Sequence, residues 1–356
     1  MGLLLADVVC GPEEIADLAG LHHVDRQMPG LVRRRCGRGF TYVDTDGATV
    51  KGEARERIES LAIPPAWTEV WICPDPEGHL QATGCDDAGR TQYRYHDRFR
   101  AEAERVKYLR LGPFGLALDG IRRQVAKHLH QPPRSERRVT ASVVRLIDQG
   151  LLRVGWDDPD DDESGFGATT LRREHLQVDG NALELDFPGK SGGRQQRTLH
   201  DRWLVHVVKE CLEIPGDCVF QYVGDHDEPA PVTADTVNRY LNEVSGQQFT
   251  AKDFRTWGGT VVVAEELARA SDRGDREADA QSAIVAACDA AADRLGNSRA
   301  VCRASYVSPT VVEAFETGEL EATWRRTRSG KWSSRPERTV ARIHDRVDVA
   351  SLRRSA

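Results

Sequence analysis

The chain has 356 residues, 39% of them hydrophobic and 29% charged, which is the composition of an ordinary globular protein. At this length we expect two domains, because a single hydrophobic core usually stops growing before about 250 to 300 residues. No apolar run approaches the roughly 20 residues that cross a bilayer, and the N-terminal stretch lacks the basic region of a signal peptide. The composition therefore predicts a cytoplasmic protein and argues against a membrane protein.

Eight cysteines are scattered along the chain, and no C-x-x-C pair is present. Such pairs are the usual signature of a zinc site or a redox motif. We therefore expect reduced, mostly buried thiols and no metal site.

The formal net charge is −7, which by itself argues against a nucleic-acid partner. The charges are segregated, however, because six acids lie between Asp157 and Glu163 and the segment from Glu265 to Asp293 is also acid-rich. Basic side chains cluster in three other places: Arg33, Arg34, Arg35 and Arg38; Arg134, Arg137 and Arg138; and the tail from Leu320 to Ala356, with ten Arg and Lys against four acids. Such segregation allows a positive groove on a negative protein. The alternative is that each cluster is a solvated face.

The first hundred residues are typical of β-strands. GFTYVDTDGATV alternates around an Asp-Gly turn, and AWTEVWICPDPEGHLQATGCDDAGRTQYRYH predicts two or three short strands separated by turns. After Tyr95, three segments between residues 97 and 152 place apolar residues on one face at steps of three and four, which indicates helices. We therefore place the domain boundary near residue 100.

One hairpin is predicted inside the helical region. ATTLRREHLQV and ALELDFPGK are joined by Asp179-Gly180-Asn181 and alternate in hydrophobicity. Helical patterns then return: TLHDRWLVHVVKECLEI is amphipathic, Thr233 is a candidate cap for VTADTVNRYLNEV, and Thr250 with Asp253 resembles a capping box. Gly296 and Ser308-Pro309 predict a helix end and a helix start.

Four short segments carry side chains suited to phosphoryl transfer. They are LLRVG with Arg153, FPGKSGG with Lys190, KDFRTWGG with Arg255, and LGNSRAVCRASYVSP with Asn297 and Tyr306. Glycines beside Lys190 allow it to swing towards a substrate, and the helix start at Arg255 favours a phosphate. Taken singly, each residue has an ordinary alternative as a surface charge or as a packed tyrosine.

In this order and context, the segments resemble those of the type IB DNA topoisomerases of bacteria and poxviruses, which are related to the eukaryotic nuclear enzyme. The likeness runs from about Arg33 to Leu320 and also includes GATTLRREHLQV. IPPAWTEVWICPDPEGHLQATGCDDAGRTQYRYH is similar to the DNA-clamping domain of the bacterial branch. The resemblance implies an α+β protein, with a small antiparallel β clamp domain at 1–100 and a larger, mainly α catalytic domain at 101–356 that contains a short β-hairpin.

The resemblance also implies a role for each catalytic residue. Tyr306 would attack the scissile phosphorus and become a 3′-phosphotyrosine. Arg153 and Arg255 would bind the non-bridging oxygens, Lys190 would donate a proton to the leaving 5′ oxygen, and Asn297 would donate a hydrogen bond to a non-bridging oxygen. Strand rotation and resealing would then relax supercoiled DNA without ATP.

Two positions depart from the family pattern. Asn297 stands where the eukaryotic and poxvirus enzymes have His, as in the usual bacterial form, and an amide cannot carry charge, so the pH dependence should differ. Trp156-Asp157 stands where relatives commonly have Asn-Glu, and the acidic run after it should point away from DNA.

Candidate DNA contacts in the first domain come from the resemblance and from residue chemistry. They are Gln81, Thr83, Gln92, Tyr93 and Tyr95, whose side chains can reach base edges or phosphates. The tyrosines could equally pack at the domain junction. We expect double-stranded DNA as the partner, no metal, nucleotide or other cofactor, and a monomer associated with the bacterial nucleoid.

Two other classes of protein remain as alternatives. A tyrosine recombinase would share the Arg, Lys, Arg and Tyr residues, but recombinases typically carry H-x-x-R, and Lys252 occupies the His position before Arg255. A non-catalytic DNA-binding protein could retain the fold, although the catalytic set is intact.

Overall fold

The computed structural model describes residues 11–155, 165–224 and 228–345. Trp156, the acidic run between Asp157 and Glu163, and the end of the basic tail lie outside these ranges. Within them the chain forms two compact units, one ending at Tyr108 and the other beginning at Leu109. No helix in the described part of the chain is both long and apolar enough to span a membrane.

The first unit is built on a five-stranded antiparallel sheet. Its strands are β1 (Leu31–Cys36), β2 (Gly39–Val43), β3 (Thr68–Ile72), β4 (Leu80–Cys85) and β5 (Thr91–Tyr95), in the order β2-β1-β3-β4-β5. Its helices are α1 (Pro12–Leu18), α2 (Gly52–Ser60) and α3 (Asp97–Leu109). The predicted small antiparallel β domain is therefore confirmed.

One face of this sheet carries the core of the unit. Ile58 of α2 is fully buried and packs with Tyr42, Val70, Ile72 and Ala82. Because side chains alternate along a strand, Tyr93 and Tyr95 of β5 lie on the face opposite this core. Both tyrosine rings are exposed, at 47% and 38% for Tyr93 and Tyr95.

The second unit is mainly helical. Its helices are α4 (Leu111–His128), α5 (Glu136–Gly150), α6 (Arg202–Leu212), α7 (Ala234–Ser245), α8 (Ala251–Arg273), α9 (Asp275–Leu295), α10 (Arg299–Tyr306), α11 (Pro309–Glu316), α12 (Glu319–Arg326) and α13 (Arg335–Asp345). Phe114 of α4 is fully buried and meets the rings of Phe254 and Trp257 of α8 edge-on. Long stretches of α8 are buried, so this helix forms the centre of the unit. The predicted mainly α region is confirmed.

Strands in the second unit form two small sheets. The larger contains β6 (Leu176–Asp179), β7 (Ala182–Pro188) and β8 (Arg194–His200) in the order β6-β7-β8, and the smaller pairs β9 (Gln221–Val223) with β10 (Pro229–Pro231). The β6–β7 hairpin confirms the prediction, with Asp179 opposite Ala182. The helix predicted to start at Thr198 was wrong in its first residues. The chain continues β8 up to His200, and the helix begins at Arg202. Asp201 then caps α6 by accepting hydrogen bonds from the Trp203 and Leu204 amides.

Helix ends follow the predicted signals. Thr233 accepts a hydrogen bond from the Thr236 amide at 3.2 Å, and Thr250 forms the predicted capping box with Asp253. Gly296 ends α9 in the left-handed conformation. These local signals fix where the helices bearing the candidate site begin and end.

One half-buried arginine joins three helices of the second unit. Arg122 of α4 donates to both oxygens of Asp148 in α5 at 2.7 Å and to Glu337 in α13 at 2.7 Å. It also donates to the Trp332 carbonyl at 2.6 Å. Burial alone would lower the pKa of Arg122, but the two carboxylates raise it above its ordinary value.

We expect Arg122→Met to destabilise the protein strongly, because it leaves two partly buried carboxylates without their partner. The free energy of unfolding should fall by about 3 to 5 kcal/mol in urea titrations. The neighbouring Arg123 is exposed, and Arg123→Met should change the same quantity by less than about 0.5 kcal/mol. Equal effects of the two substitutions would contradict this interpretation.

Candidate active site

Arg153 lies on a short extended segment that follows α5. Leu151 ends that helix in the left-handed conformation, with φ 51°, and so redirects the chain. The Ala168 amide donates to the Arg153 carbonyl at 2.8 Å. Gly167 lies so close to the segment that a Cβ there would come within 2.5 Å of the Gly155 Cα. This tight backbone pairing holds Arg153 in place.

Arg255 lies in the first turn of α8 and is only 4% exposed. Its guanidinium donates to the Leu151 carbonyl and, at 3.1 Å, to the Leu295 carbonyl. The guanidinium carbon lies 5.1 Å from the centroid of the Tyr306 ring. Two backbone carbonyls therefore orient this arginine against the tyrosine.

Tyr306 is the last residue of α10, and α8 anchors its backbone. A Cβ at Gly259 would lie 2.8 Å from the Tyr306 carbonyl oxygen, so only glycine permits this approach. The Thr260 hydroxyl donates to the same carbonyl at 3.1 Å and accepts from the Ser308 amide at 3.1 Å. Sequence reasoning missed this role of Thr260, because a helical threonine has no motif that identifies it.

The positive charges of Arg255 and Arg153 act on the Tyr306 hydroxyl. Burial alone would raise the pKa of Tyr306, but the two guanidinium groups outweigh it and hold the pKa below its ordinary value. The structure thus brings the predicted tyrosine and both predicted arginines together. The phenol is poised to lose its proton more readily than a free tyrosine.

Asn297 lies in the turn between α9 and α10. Its amide oxygen accepts a hydrogen bond from Arg153 at 3.0 Å, and its backbone amide donates to the Ala292 carbonyl at 3.0 Å. The side-chain Nδ2 is buried and has no hydrogen-bond partner among the described residues. One amide donor is therefore available for a further acceptor beside Arg153.

Lys190 lies in the turn that connects β7 with β8. It is exposed, and it lines a narrow cavity together with Arg153 and Arg255. No described residue forms a hydrogen bond or ion pair with its ammonium group. Arg153 thus contacts Asn297, and Arg255 contacts the Tyr306 ring. Lys190 lines the cavity that Arg153 and Arg255 share.

Two of the predicted DNA contacts are buried in the first unit. Gln81 is 3% exposed, its amide nitrogen donates to three backbone carbonyls, including that of Gly78 at 2.7 Å, and its amide oxygen accepts from Arg57 at 2.5 Å. Thr83 is 4% exposed in the central part of the sheet. Both residues are therefore buried within the first unit, and both ends of the Gln81 amide are hydrogen-bonded there.

The other three predicted contacts lie on β5. Gln92 is partly exposed and donates to Asp86 at 2.9 Å. Tyr93 and Tyr95 stack on each other with ring centroids 5.9 Å apart. Tyr95 in turn stacks on Phe99 at 5.2 Å. These tyrosines form an exposed aromatic surface on the face of the sheet opposite the core.

One basic cluster is neutralised by acids. Arg134, Arg137 and Arg138 each form an ion pair, with Glu213, Glu243 and Glu210 respectively. For this cluster the structure favours a paired, solvated face over a groove for a polyanion. Among the described residues, no group of three His, Cys, Asp or Glu side chains could hold a metal ion.

Residues 96–328 match the family model of the eukaryotic DNA topoisomerase I catalytic core, and residues 39–86 match that of the bacterial DNA topoisomerase IB N-terminal domain. DNA topoisomerase 1B of Acanthamoeba polyphaga mimivirus is 30% identical over 297 residues, which cover 81% of this chain and 88% of the viral protein. DNA topoisomerase 1 of Mycosarcoma maydis is 31% identical over 198 residues, which cover 48% of this chain and 19% of the fungal protein.

Solved structures give a weaker likeness. The XerH site-specific recombinase in its post-cleavage complex is 14% identical, with a TM-score of 0.35, over 57% of this chain and 50% of the recombinase chain. This chain therefore spans about half the length of that recombinase chain.

The two family models follow one another along the chain, and all five candidate catalytic residues fall within the larger match. The viral relative is similar over most of both proteins. Neither matched model describes a recombinase. The chain therefore belongs to the type IB DNA topoisomerase family.

Proposed function

We propose that this topoisomerase relaxes double-stranded DNA through a covalent intermediate on Tyr306. The phenolic oxygen attacks the scissile phosphorus, the bond to the 5′ oxygen breaks, and the DNA 3′ end becomes a phosphotyrosine. The free 5′ end rotates and then attacks the phosphotyrosine, which restores the phosphodiester. The bond energy is conserved in the tyrosyl ester, so no nucleotide is required. The convergence of Arg255 and Arg153 on the Tyr306 side chain carries this proposal.

The two arginines are the groups that stabilise the five-coordinate transition state. Arg255 uses two of its five N–H donors on backbone carbonyls, and its Nε has no partner among the described residues. Arg153 uses one donor on Asn297. The remaining donors are available to the non-bridging oxygens of the phosphate, where charge develops.

The same arginines activate the nucleophile. The groups that lower the pKa of Tyr306 are the guanidinium groups of Arg255 and Arg153. We infer that electrostatic stabilisation of the phenolate, rather than a dedicated general base, prepares Tyr306 for attack. Asn297 would add a neutral hydrogen bond from its unpartnered Nδ2 to a non-bridging oxygen.

Lys190 is the proposed general acid. It is the one exposed cation lining the cavity with both arginines in the described part of the chain, and the turn around it contains three glycines, Gly189, Gly192 and Gly193. A 5′ alkoxide is a poor leaving group, so protonation of that oxygen accelerates cleavage.

We expect Lys190→Ala to slow cleavage roughly 10²- to 10⁴-fold on ordinary DNA. On DNA with a 5′-bridging sulfur at the break, most of this loss should disappear, because a thiolate leaves without protonation. The measurement is the single-turnover rate of covalent adduct formation on matched oxygen and sulfur duplexes. An equal loss on both duplexes would remove Lys190 from the acid role.

The first unit is proposed to grip the DNA. Tyr93 and Tyr95 present aromatic rings on an open sheet face, and Gln92 lies beside them. Aromatic and amide side chains can contact sugars, phosphates and base edges. We propose that these three residues contact the duplex and that a single chain, with all five catalytic residues in its second unit, acts as a monomer.

A supercoiled plasmid tests the function as a whole. Incubation with the protein in EDTA and without ATP should convert the plasmid to relaxed topoisomers. Retardation of the plasmid in a gel with its linking number unchanged would instead support a non-catalytic DNA-binding protein.

A further inference from the structure

The turn that carries Lys190 is fastened to the rest of the site by one glutamine and one arginine of β8. Gln195 lies between two glycines that precede catalytic residues. A Cβ at Gly189 would come within 2.8 Å of the Gln195 Cγ, and one at Gly296 would overlap the Gln195 amide. Gly189 precedes Lys190, and Gly296 precedes Asn297. The Gln195 side chain therefore fills the space between the two turns that present Lys190 and Asn297.

Hydrogen bonds hold Gln195 in this position. Its Nε2 donates to the Gly296 carbonyl at 3.3 Å, and its Oε1 accepts from Arg197 Nη2 at 3.2 Å. The turn itself closes through the Gly189 amide, which donates to the Gly193 carbonyl at 2.7 Å. Gln195 thus links the base of the Lys190 turn to the chain entering Asn297.

Arg197 extends the link to the ends of two helices. Its Nε donates to the Gly150 carbonyl at the end of α5, at 3.4 Å. Its Nη2 donates to the Arg294 carbonyl near the end of α9, at 2.8 Å. The segments that follow these helices carry Arg153 and Asn297. One side chain therefore contacts both backbones that lead into the site.

The acceptors of Arg197 are neutral. Its hydrogen bonds in the described chain go to backbone carbonyls and to the Gln195 amide, and none goes to a carboxylate. Burial, and then the nearby Arg294 and Arg255 cations, lower the pKa of Arg197. Arg197 forms no ion pair in the described part of the chain, although other cations lie near it. Its hydrogen bonds therefore serve to hold the backbone segments in position.

We propose that Gln195 and Arg197, here called the docking pair, are positioning residues that hold the Lys190 turn against the arginine and asparagine segments. Lys190 has four rotatable side-chain bonds and lies among glycines, so proton transfer depends on how firmly its turn is placed. The docking pair acts on the general acid through the β7–β8 turn, and Gln195 lines the same cavity as Lys190. This inference rests on the acid role of Lys190 proposed above.

Cleavage of matched oxygen and 5′-bridging sulfur duplexes tests the docking pair. Arg197→Met should slow cleavage of the oxygen duplex roughly 10- to 100-fold, since misplacement by about 1 Å costs up to about 10²-fold. On the sulfur duplex, which needs no acid, the rate should stay within about threefold of the unsubstituted protein. A residue needed only for folding would slow both duplexes equally.

Two further variants complete the experiment. Gln195→Met, a milder change, should show the same sulfur rescue with a smaller loss, and it replaces Arg197→Met if that protein does not fold. Arg202→Met is the matched control, because Arg202 is exposed just beyond the far end of β8. It should leave both rates unchanged. Equal losses on both duplexes, or no loss, for the docking-pair variants would overturn the inference.

Lys190→Ala measured in parallel separates this inference from the proposed function. If Lys190→Ala is rescued by sulfur and the docking-pair variants are not, the docking pair alone is refuted. If Lys190→Ala is not rescued, the acid role fails and the inference falls with it.

Discussion

Tyr306→Phe should abolish relaxation of supercoiled DNA. The substitution removes only the attacking oxygen and keeps the ring beside Arg255, so the fold should persist. Loss of a covalent nucleophile typically costs a factor of about 10⁴ or more in rate. Plasmid relaxation should therefore fall below detection over hours, with no covalent adduct on a labelled duplex.

DNA binding is the necessary companion measurement. The affinity of Tyr306→Phe for a non-cleavable duplex should stay within about threefold, because most affinity comes from backbone contacts elsewhere. Tyr222→Phe, at a partly exposed tyrosine of β9, should relax DNA normally. Formation of a covalent adduct by Tyr306→Phe would show that another residue is the nucleophile.

Arg153→Met should reduce the cleavage rate roughly 10²- to 10³-fold, which is the usual cost of removing one donor from a developing oxyanion. The variant also loses the hydrogen bond to Asn297 Oδ1. Arg153 is only partly buried and does not cap a helix. We therefore expect the midpoint temperature of thermal unfolding to change little. The exposed Arg303 of α10 offers a control, and Arg303→Met should cleave at the normal rate.

The pH dependence should shift in a known direction. Arg153 and Arg255 hold the pKa of Tyr306 below its ordinary value. Removing Arg153 allows that pKa to rise, so the increase of cleavage rate with pH should move to higher pH in Arg153→Met. Arg153→Lys, which keeps the charge, should shift less. If the dependence of cleavage rate on pH is unchanged in both variants, Arg153 does not control the ionisation of Tyr306.

The chemistry of the site was visible in the sequence because its residues sit in short, distinctive segments. KDFRTWGG predicted a helix start close to Arg255, and the structure adds why the second glycine is needed, since Gly259 faces the Tyr306 backbone. The Asp179-Gly180-Asn181 turn predicted its hairpin for a similarly local reason. Signals of this kind depend on residues a few positions apart.

Features that depend on distant or polar partners were not visible. Strand β8, RQQRTLH, has a single buried side chain, Leu199, so no apolar alternation marks it. Arg137 and Arg138 meet acids 106 and 72 residues away, so their charges looked free in the sequence. Gln81 looked like a surface amide because its carbonyl partners lie in an irregular loop. Each of these features depends on tertiary contacts that composition and periodicity do not encode.

The most direct test of the central claim is to identify the covalent bond itself. A suicide duplex that loses its 5′ product traps the cleaved state, and proteolysis with mass spectrometry then locates the attached nucleotide. The account predicts one modified peptide, with Tyr306 linked to the 3′ phosphate of the cleaved strand. Attachment to any other side chain, or to a 5′ phosphate, would contradict it.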